Sequence, residues 1–168
     1  MPVIVNELGA YQNEDAVTRL SYYMMQSPYY STCNGRGVSG CFPKDVIRSF
    51  HFVKKMYGKE EGRQTAHFII GAKEKEMLIF TELVEIGEAA VDYFYHKGFQ
   101  SIYALHSGSG KDKNYQHIHL AVNTISYLDG NRLYESFDIT SDFRKTMERV
   151  FPKIRWHSVN DNVDDWEE

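Results

Sequence analysis

Two apolar segments that follow each other in the middle of the chain constrain its fold more than any other feature. The first runs from Phe99 to His106 and the second from Tyr115 to Thr124, and a polar stretch, Ser107 to Asn114, separates them. Both segments are rich in aliphatic and aromatic residues, which is typical of strands. The pattern therefore predicts two strands that pair as an antiparallel hairpin through a loop of Gly, Ser and Lys.

Three histidines belong to this hairpin. His117 and His119 are two residues apart, and alternate residues of a strand point to the same face of a sheet, so Ile118 between them is expected to face the core. His106 ends the first strand, and pairing brings it to the same end as the other two. Three imidazoles without a cysteine predict a divalent-metal site that leaves positions open for water or substrate. The alternative is three histidines on a solvated face of the sheet.

The rest of the chain mixes helices and strands without strict alternation. Further strands are predicted over Pro2 to Val5, Gln64 to Gly71, a short segment near Leu133, and Ile154 to Ser158. Helices are predicted over Glu14 to Gln26 with Asn13 as cap, Pro43 to Gly58, Glu76 to Lys97, and a last segment capped by Thr140 or Ser141 that ends before Pro152. Ser27 to Cys41 has the composition of a loop. This order favours an α+β fold with a largely antiparallel sheet flanked by helices.

Length and composition predict a single domain. The chain has 168 residues, of which 42% are hydrophobic and 25% charged, an ordinary balance for one globular core. We expect a domain over residues 1–158 and an acidic tail over 159–168, which holds five acids and no base. No apolar run approaches the ~18 residues of a membrane span. Without a signal-peptide pattern, we expect a cytoplasmic protein whose Cys33 and Cys41 are free thiols.

The charge gives a mixed indication about nucleic acid. A net charge of −4 disfavours a nucleic-acid partner, because neutralising phosphates normally requires a basic surface. Without the acidic tail the body is near neutral, and Lys44 to Lys75 is rich in Lys and Arg, which predicts a local basic face. The 12 tyrosines and 10 phenylalanines suit core filling, or platforms on which the bases of a single strand stack.

The residues after the histidine pair carry a resemblance to a known family. His117-Ile118-His119 is followed by the apolar run Leu120 to Val122, then Asn123-Thr124, and a turn with Gly130 and Arg132. This order resembles the relaxase, or mobilisation nuclease, family of plasmids and conjugative elements. A third histidine follows an apolar strand upstream in that family, as His106 does here. The resemblance covers the chain from about Val17 to Val150, including a helix-to-strand passage at Lys54 to Phe68 and a central helix at Glu85 to Ala90.

The resemblance implies a fold and a reaction. The fold is an antiparallel five-stranded sheet flanked by helices, with the three histidines on central strands. In the reaction, a tyrosine hydroxyl attacks one phosphodiester of single-stranded DNA at an origin of transfer, forming a 5′-phosphotyrosine and releasing a 3′-hydroxyl. The implied cofactor is a divalent ion, Mg or Mn in the first place and otherwise Zn or Ni, which polarises the phosphate. Accessory proteins of the relaxosome are the implied protein partners.

The resemblance also places the nucleophile near the N-terminus, where the family has a tyrosine followed by an aliphatic residue. Tyr23 precedes Met24 and borders the apolar face of the first predicted helix, so it is the expected nucleophile. Tyr22 is the second candidate, and Tyr29 and Tyr30 are the third. The alternative for Tyr23 is a plain packing role at the edge of the core.

Further site residues are expected around this centre. The expected DNA contacts are Arg63, Lys111 and Arg132. His67 is a candidate for a contact behind the metal ligands or with DNA, and otherwise an ordinary strand histidine. Many relaxases carry an acid two residues after the first histidine, where this chain has Gly108. Asp112 is the nearby acid that we expect to take its place.

Two other functions remain open from the sequence. A nuclease-inactive DNA-binding module would keep the same fold. A rolling-circle replication initiator shares the histidine pair but places its tyrosine after it, whereas Tyr127 and Tyr134 fall in the predicted turn and short strand. A cupin-type hydrolase would need a glutamate a few residues after the pair, and the motifs of a two-histidine phosphodiesterase are absent.

Overall fold

A five-stranded antiparallel sheet organises the structure, a computed structural model that describes residues 2–6, 11–72, 78–109, 112–134, 137–154 and 156. The strands are β1 (Pro2–Asn6), β2 (Tyr30–Arg36), β3 (Thr65–Ala72), β4 (Ser101–Ser109) and β5 (Asp112–Asn123). The helices are α1 (Ala16–Gln26), α2 (Pro43–Met56), α3 (Phe80–His96) and α4 (Phe137–Val150). The strand order is β1-β3-β5-β4-β2, and every neighbouring pair is antiparallel. The predicted α+β class and the five strands implied by the resemblance are confirmed.

The sheet separates two cores, because alternate residues of each strand point to opposite faces. The larger core lies under α3 and α4 and includes Phe68, Ile86, Phe94, Leu105, Ile118, Leu120 and Phe143. The smaller core lies under α1 and α2 and includes Leu20, Met24, Val46, Phe50, Ile102, Ala104 and Ala121. Ile118 is fully buried in the larger core, as its place between two histidines predicts. The histidines therefore face α1 and α2.

The central hairpin forms as predicted but with longer strands. Its register pairs His106 with His117 and Ala104 with His119. Pairing then continues to Ser109 and Asp112, so most of the polar stretch that we predicted as a loop is strand. The prediction was wrong there because main-chain hydrogen bonds extend a ladder without needing apolar side chains, which are what a sequence pattern detects.

The segment Ser27 to Cys41, predicted as a loop, contains the edge strand β2. Its small polar residues carry no strand pattern, yet its backbone pairs with β4. Arg36 then attaches this edge to α3, donating from Nε to Asp92 over 2.7 Å and from a terminal nitrogen to Glu88 over 2.8 Å. Partners far away in sequence, and not local propensity, make this segment a strand.

Several helix ends differ from the predictions. The first helix begins at Ala16 with Asp15 as its cap residue and no side-chain cap hydrogen bond, so Asn13 is not the cap. The second helix begins at Pro43 as predicted, and the Asp45 carboxylate accepts the Phe42 N–H over 3.2 Å. The third begins at Phe80; the predicted start at Glu76 lies outside the described residues.

The C-terminal part differs more. Helix α4 begins at Phe137, so Thr140 and Ser141 lie inside the helix and not at its start. Near Leu133 the structure has an isolated bridge between Ile125 and Arg132 instead of a strand. Of the last predicted strand, Ile154 and Trp156 are described and neither is in a strand; the acidic tail lies outside the described residues. No helix in the described part of the chain is long and apolar enough to cross a membrane.

Candidate metal centre

Three buried histidines meet on the face of the sheet that α1 covers. His106 lies on β4, and His117 and His119 lie on β5. One nitrogen from each ring lies within 4.8 Å of those of the other two. The Nε2 atoms of His117 and His119 are 3.0 Å apart. The structure thus brings together the three residues that the sequence predicted as ligands.

The chemistry of this donor set fits a divalent ion. Bonds of about 2.0–2.1 Å from two imidazoles to one ion place their nitrogens about 3 Å apart or more, which agrees with the contact between His117 and His119. Burial lowers the pKa of all three histidines, and for His117 burial and the nearby charge of His106 lower it to about 4. Near pH 7 the rings are therefore neutral and offer lone pairs, as metal ligation requires.

Helix α1 determines the tautomer of His106. Nε2 of His106 lies 2.7 Å from the main-chain carbonyl oxygen of Met24. A carbonyl only accepts, so Nε2 of His106 carries the hydrogen and Nδ1 carries the lone pair. Such a contact behind a ligand commonly orients the ring and selects its tautomer. One main-chain atom of α1 therefore leaves the lone pair of His106 on Nδ1.

Tyr23 lies against this centre. Its ring centroid is 5.1 Å from that of His119 and 5.6 Å from that of His106, in edge-on contacts, while 53% of the residue remains exposed. No ring contact joins Tyr22 to these histidines among the residues that the structure describes. The helix therefore directs one of its two adjacent tyrosines to the histidines, at a position that solvent and a polymer can reach.

Tyr29 and Tyr30, the third candidates for the nucleophile, lie beside the centre. Tyr30 begins β2 and Tyr29 precedes it. Tyr30 is opposite His106 in the register of β2 and β4. Its hydroxyl donates to Cys33 Sγ over 3.4 Å, and burial together with this thiol raises its pKa. The Tyr29 carbonyl accepts the Ser107 N–H over 2.8 Å. Both tyrosines are exposed, but the hydroxyl of Tyr30 is directed to a thiol.

His67 contacts the centre from β3. Its Nε2 lies 2.9 Å from Nδ1 of His119, and the two rings stack with centroids 5.1 Å apart. The hydroxyl of Tyr11 lies 2.6 Å from the other ring nitrogen, Nδ1 of His67. The sequence pattern indicates His67 as a candidate but does not indicate Tyr11. No pattern joins two residues 56 positions apart, so only the packing of the turn before α1 shows this contact.

The basic and acidic residues predicted around the centre lie at different distances from the histidines. Arg63 lies with its guanidinium 5.3 Å from the centroid of the Tyr11 ring, close to the centre. Arg132 donates to the carbonyls of Arg63 and Glu61 over 3.1 and 2.8 Å and thereby holds the turn before β3. Lys111 lies outside the described residues. Asp112 begins β5, five residues before His117 and therefore about 16 Å away along an extended strand.

Two further residues have structural roles. Asn123, part of the segment that carries the family resemblance, is fully buried and donates to the Phe50 carbonyl over 3.2 Å and to Gln100 Oε1 over 2.8 Å. It therefore joins β5 to α2.

Lys54, in the stretch predicted as a basic face, is buried instead and donates to the main-chain oxygen and Oε1 of Gln64 over 2.5 and 3.0 Å. Burial, with the charge of Arg132, lowers the pKa of Lys54 to about 7.

Comparison with known proteins identifies the class to which this fold and centre belong. The family model described as "Relaxase: MobA/VirD2-like, nuclease domain" matches residues 23–156, a range that includes Tyr23 and the three histidines. The chain belongs to this MobA/VirD2-like relaxase family. No curated protein matches it. The fold is similar to that of a solved structure described as "Molecular Basis of Vancomycin Resistance Transfer in Staphylococcus aureus", with a TM-score of 0.64 and 13% identity over 94% of this chain and 97% of that chain.

Proposed function

We propose that this chain is a metal-dependent relaxase domain that nicks single-stranded DNA at an origin of transfer. Tyr23 is the nucleophile, and His106, His117 and His119 hold the divalent ion. One observation carries the proposal: the exposed ring of Tyr23 contacts two of the three buried histidines, at 5.1 and 5.6 Å between centroids. A phosphate at the mouth of this centre would contact the phenol and the ion together.

The proposed reaction is a transesterification. The phenol of Tyr23 loses its proton and its oxygen forms a bond to phosphorus, while the bond between phosphorus and the 3′-oxygen breaks. The 3′-oxygen takes up one proton and leaves as a hydroxyl, so the protons balance. One phosphodiester is exchanged for another, so the 5′-phosphotyrosine keeps the energy of the bond for religation or strand transfer. A divalent ion on the histidines would stabilise the negative charge that develops on the phosphate oxygens.

The protein supplies position and exclusion of water. Helix α1 presents Tyr23 and, through the next residue, bonds to His106 over 2.7 Å, so nucleophile and ligand belong to one rigid unit. The histidines are buried while the phenol is half exposed, so we expect the phosphate to approach from the side of Tyr23. Orientation of this kind lowers a barrier because the reacting groups do not have to be ordered at the moment of reaction.

The metal is part of the proposal. The family resemblance implies Mg or Mn. Three imidazoles without a carboxylate favour softer ions such as Ni or Zn over Mg in binding strength. We therefore expect binding in the order that imidazole sites usually follow, with Mn or Mg supporting turnover when present in excess. Calorimetric titration with each of the four ions separates these cases.

The test of the function uses a random pool of single-stranded DNA, because the nick site is not given by the sequence. The purified chain is incubated with the pool and each ion, covalent protein–DNA adducts are isolated, and the attached DNA is sequenced. We expect adducts in which mass spectrometry finds the phosphate on Tyr23. Tyr23→Phe should abolish them, whereas the matched variant Tyr22→Phe should keep them. Adducts of normal yield with Tyr23→Phe would refute the nucleophile, and DNA binding without any adduct would favour a nuclease-inactive module.

A further inference from the structure

Two residues outside the proposed ligand set, Tyr11 and His67, form a hydrogen-bonded pair next to His119. We propose that Tyr11 and His67 are positioning residues that place the hydrogen of His119 on Nδ1 and so keep its Nε2 available for the ion. This inference rests on the proposed metal site. It adds to that site a hydrogen-bonded pair from two distant parts of the chain.

The geometry is a continuous chain of contacts. The Tyr11 hydroxyl is 2.6 Å from Nδ1 of His67, Nε2 of His67 is 2.9 Å from Nδ1 of His119, and Nε2 of His119 is 3.0 Å from Nε2 of His117. His67 and His119 are 4% and 2% exposed, so water does not compete for these nitrogens. Among the described residues, each ring nitrogen of His67 and His119 therefore has a protein partner.

The number of hydrogens on the rings determines which group donates and which accepts in this series of hydrogen bonds. A neutral imidazole has one N–H, so each histidine donates from one nitrogen and accepts at the other. An ion that binds Nε2 of His119 needs the lone pair there, which leaves the hydrogen on Nδ1, where Nε2 of His67 accepts it. His67 then carries its own hydrogen on Nδ1 and donates to the Tyr11 oxygen. The opposite direction would put the hydrogen of His119 on Nε2, towards His117, where it blocks ligation.

The position of Tyr11 is itself secured by the start of β3. Its main-chain oxygen accepts the Gln64 N–H over 2.7 Å. The Arg63 guanidinium lies over its ring at 5.3 Å. Both neighbours precede β3, the strand that carries His67. Tyr11 and His67 are thus held by one local unit, and their hydrogen bond does not depend on a mobile side chain.

The phenol and the imidazole of this pair can be removed separately. Tyr11→Phe removes the acceptor for Nδ1 of His67 and so weakens the preference for the required direction. We expect the dissociation constant for Zn²⁺ to rise about 10-fold, in the range found when residues behind metal ligands are removed. His67→Phe removes the acceptor for His119 and should weaken binding at least as much. His67→Gln offers an amide oxygen to the same N–H and should restore most of the affinity.

The matched control is Tyr103→Phe. It removes a phenol hydrogen bond of similar length, 2.9 Å to Glu88, on the opposite face of the sheet. Zn²⁺ affinity should be unchanged in this variant, because Tyr103 packs in the larger core. Thermal unfolding of each variant shows that any loss of affinity is measured on folded protein.

The decisive measurement is long-range ¹H–¹⁵N NMR of the full chain with labelled histidines, together with calorimetry of Zn²⁺ alone. We expect the Zn²⁺-loaded protein to show His119 and His67 both protonated on Nδ1. Any of three results would overturn this inference and leave the metal site standing. They are wild-type affinity in Tyr11→Phe, equal affinities of the His67→Gln and His67→Phe variants, and His119 protonated on Nε2 in the loaded protein. Absence of Zn²⁺, Ni²⁺, Mn²⁺ and Mg²⁺ binding by the wild type would overturn the metal site and this inference with it.

Discussion

His106 and Met24 are joined by a hydrogen bond of 2.7 Å between a ring nitrogen of the one and the main-chain oxygen of the other. The contact links strand β4 to helix α1 one residue after Tyr23. It means that the proposed nucleophile and the proposed ligand cannot move independently. It also means that a ligand substitution at this position has a structural cost in addition to its effect on metal binding.

His106→Ala should therefore lower both metal affinity and stability. The Met24 carbonyl would remain buried without its donor, a loss that typically costs about 1–3 kcal/mol of unfolding free energy. Urea unfolding of metal-free protein measures the cost, and calorimetry measures the affinity. The matched control is His96→Ala at the exposed end of α3, which should change neither. Wild-type stability of metal-free His106→Ala would contradict the assigned hydrogen bond.

Tyr23→Phe should separate chemistry from binding. The ring, its contacts with the histidines and the helix are retained, and the side chain is half exposed, so we expect unfolding free energy within about 0.5 kcal/mol of the wild type. Metal affinity should also be unchanged, while the covalent DNA adduct disappears. A gel shift with the oligonucleotides selected from the random pool checks that DNA still binds. Loss of DNA binding in this variant would show that the phenol is a binding group and not the nucleophile.

Among the acids of α3, Glu88 should cause the largest loss of stability when it is replaced. Its carboxylate accepts from Asn34, Arg36 and Tyr103 over 2.8, 2.8 and 2.9 Å, which attaches the edge strand β2 to the helix. Glu88→Ala leaves the buried Tyr103 hydroxyl without its acceptor, so we expect a loss of about 1–3 kcal/mol. Hydrogen exchange along β2 should also become faster.

The control for Glu88 is Glu85→Ala, which lies on the same helix but is exposed. It should be within about 0.5 kcal/mol of the wild type. Equal effects of the two substitutions in urea unfolding would show that β2 is held by its main-chain pairing alone.

Lys54 should make stability depend on pH above neutrality. Burial lowers the pKa of its amine to about 7 in the folded chain, whereas an unfolded lysine has a pKa of about 10.4. Between these values the unfolded chain binds more protons, so the unfolding free energy rises with pH across this window and the contribution of Lys54 is flat below it. Urea unfolding of the wild type and Lys54→Met at several pH values isolates this slope, because other titrating groups are common to both. Parallel pH profiles would show that the amine keeps an ordinary pKa.

The position of the histidines on one face is a property of the local sequence. A strand repeats every two residues, so His117 and His119 share a face wherever the strand packs, and Ile118 takes the other. His106 joins them because a hairpin between consecutive strands needs no distant partner. The strands β1 and β3 and the helix α2 also agree closely with their predicted positions, because their own residues carry the strand or helix pattern.

The edge strand β2 and the ends of the helices were beyond the sequence pattern. Ser27 to Cys41 has a loop composition, and only the backbone of β4 and the carboxylates of α3 make part of it a strand. Helix α4 begins before the caps predicted for it and packs against the larger core through Phe143 and Met147.

The local pattern of apolar and polar residues alone determined that a histidine pair would project from one face of a predicted hairpin, with a third histidine beside it. It left open which tyrosine lies nearest and what stands behind the ligands. The contact of Tyr23 with the histidines depends on how α1 rotates against the sheet, and the chain from Tyr11 through His67 to His119 joins residues 56 and 52 positions apart. Only tertiary packing brings such residues together, because hydrogen bonds and ring contacts act over a few ångströms of space, whatever the separation along the chain.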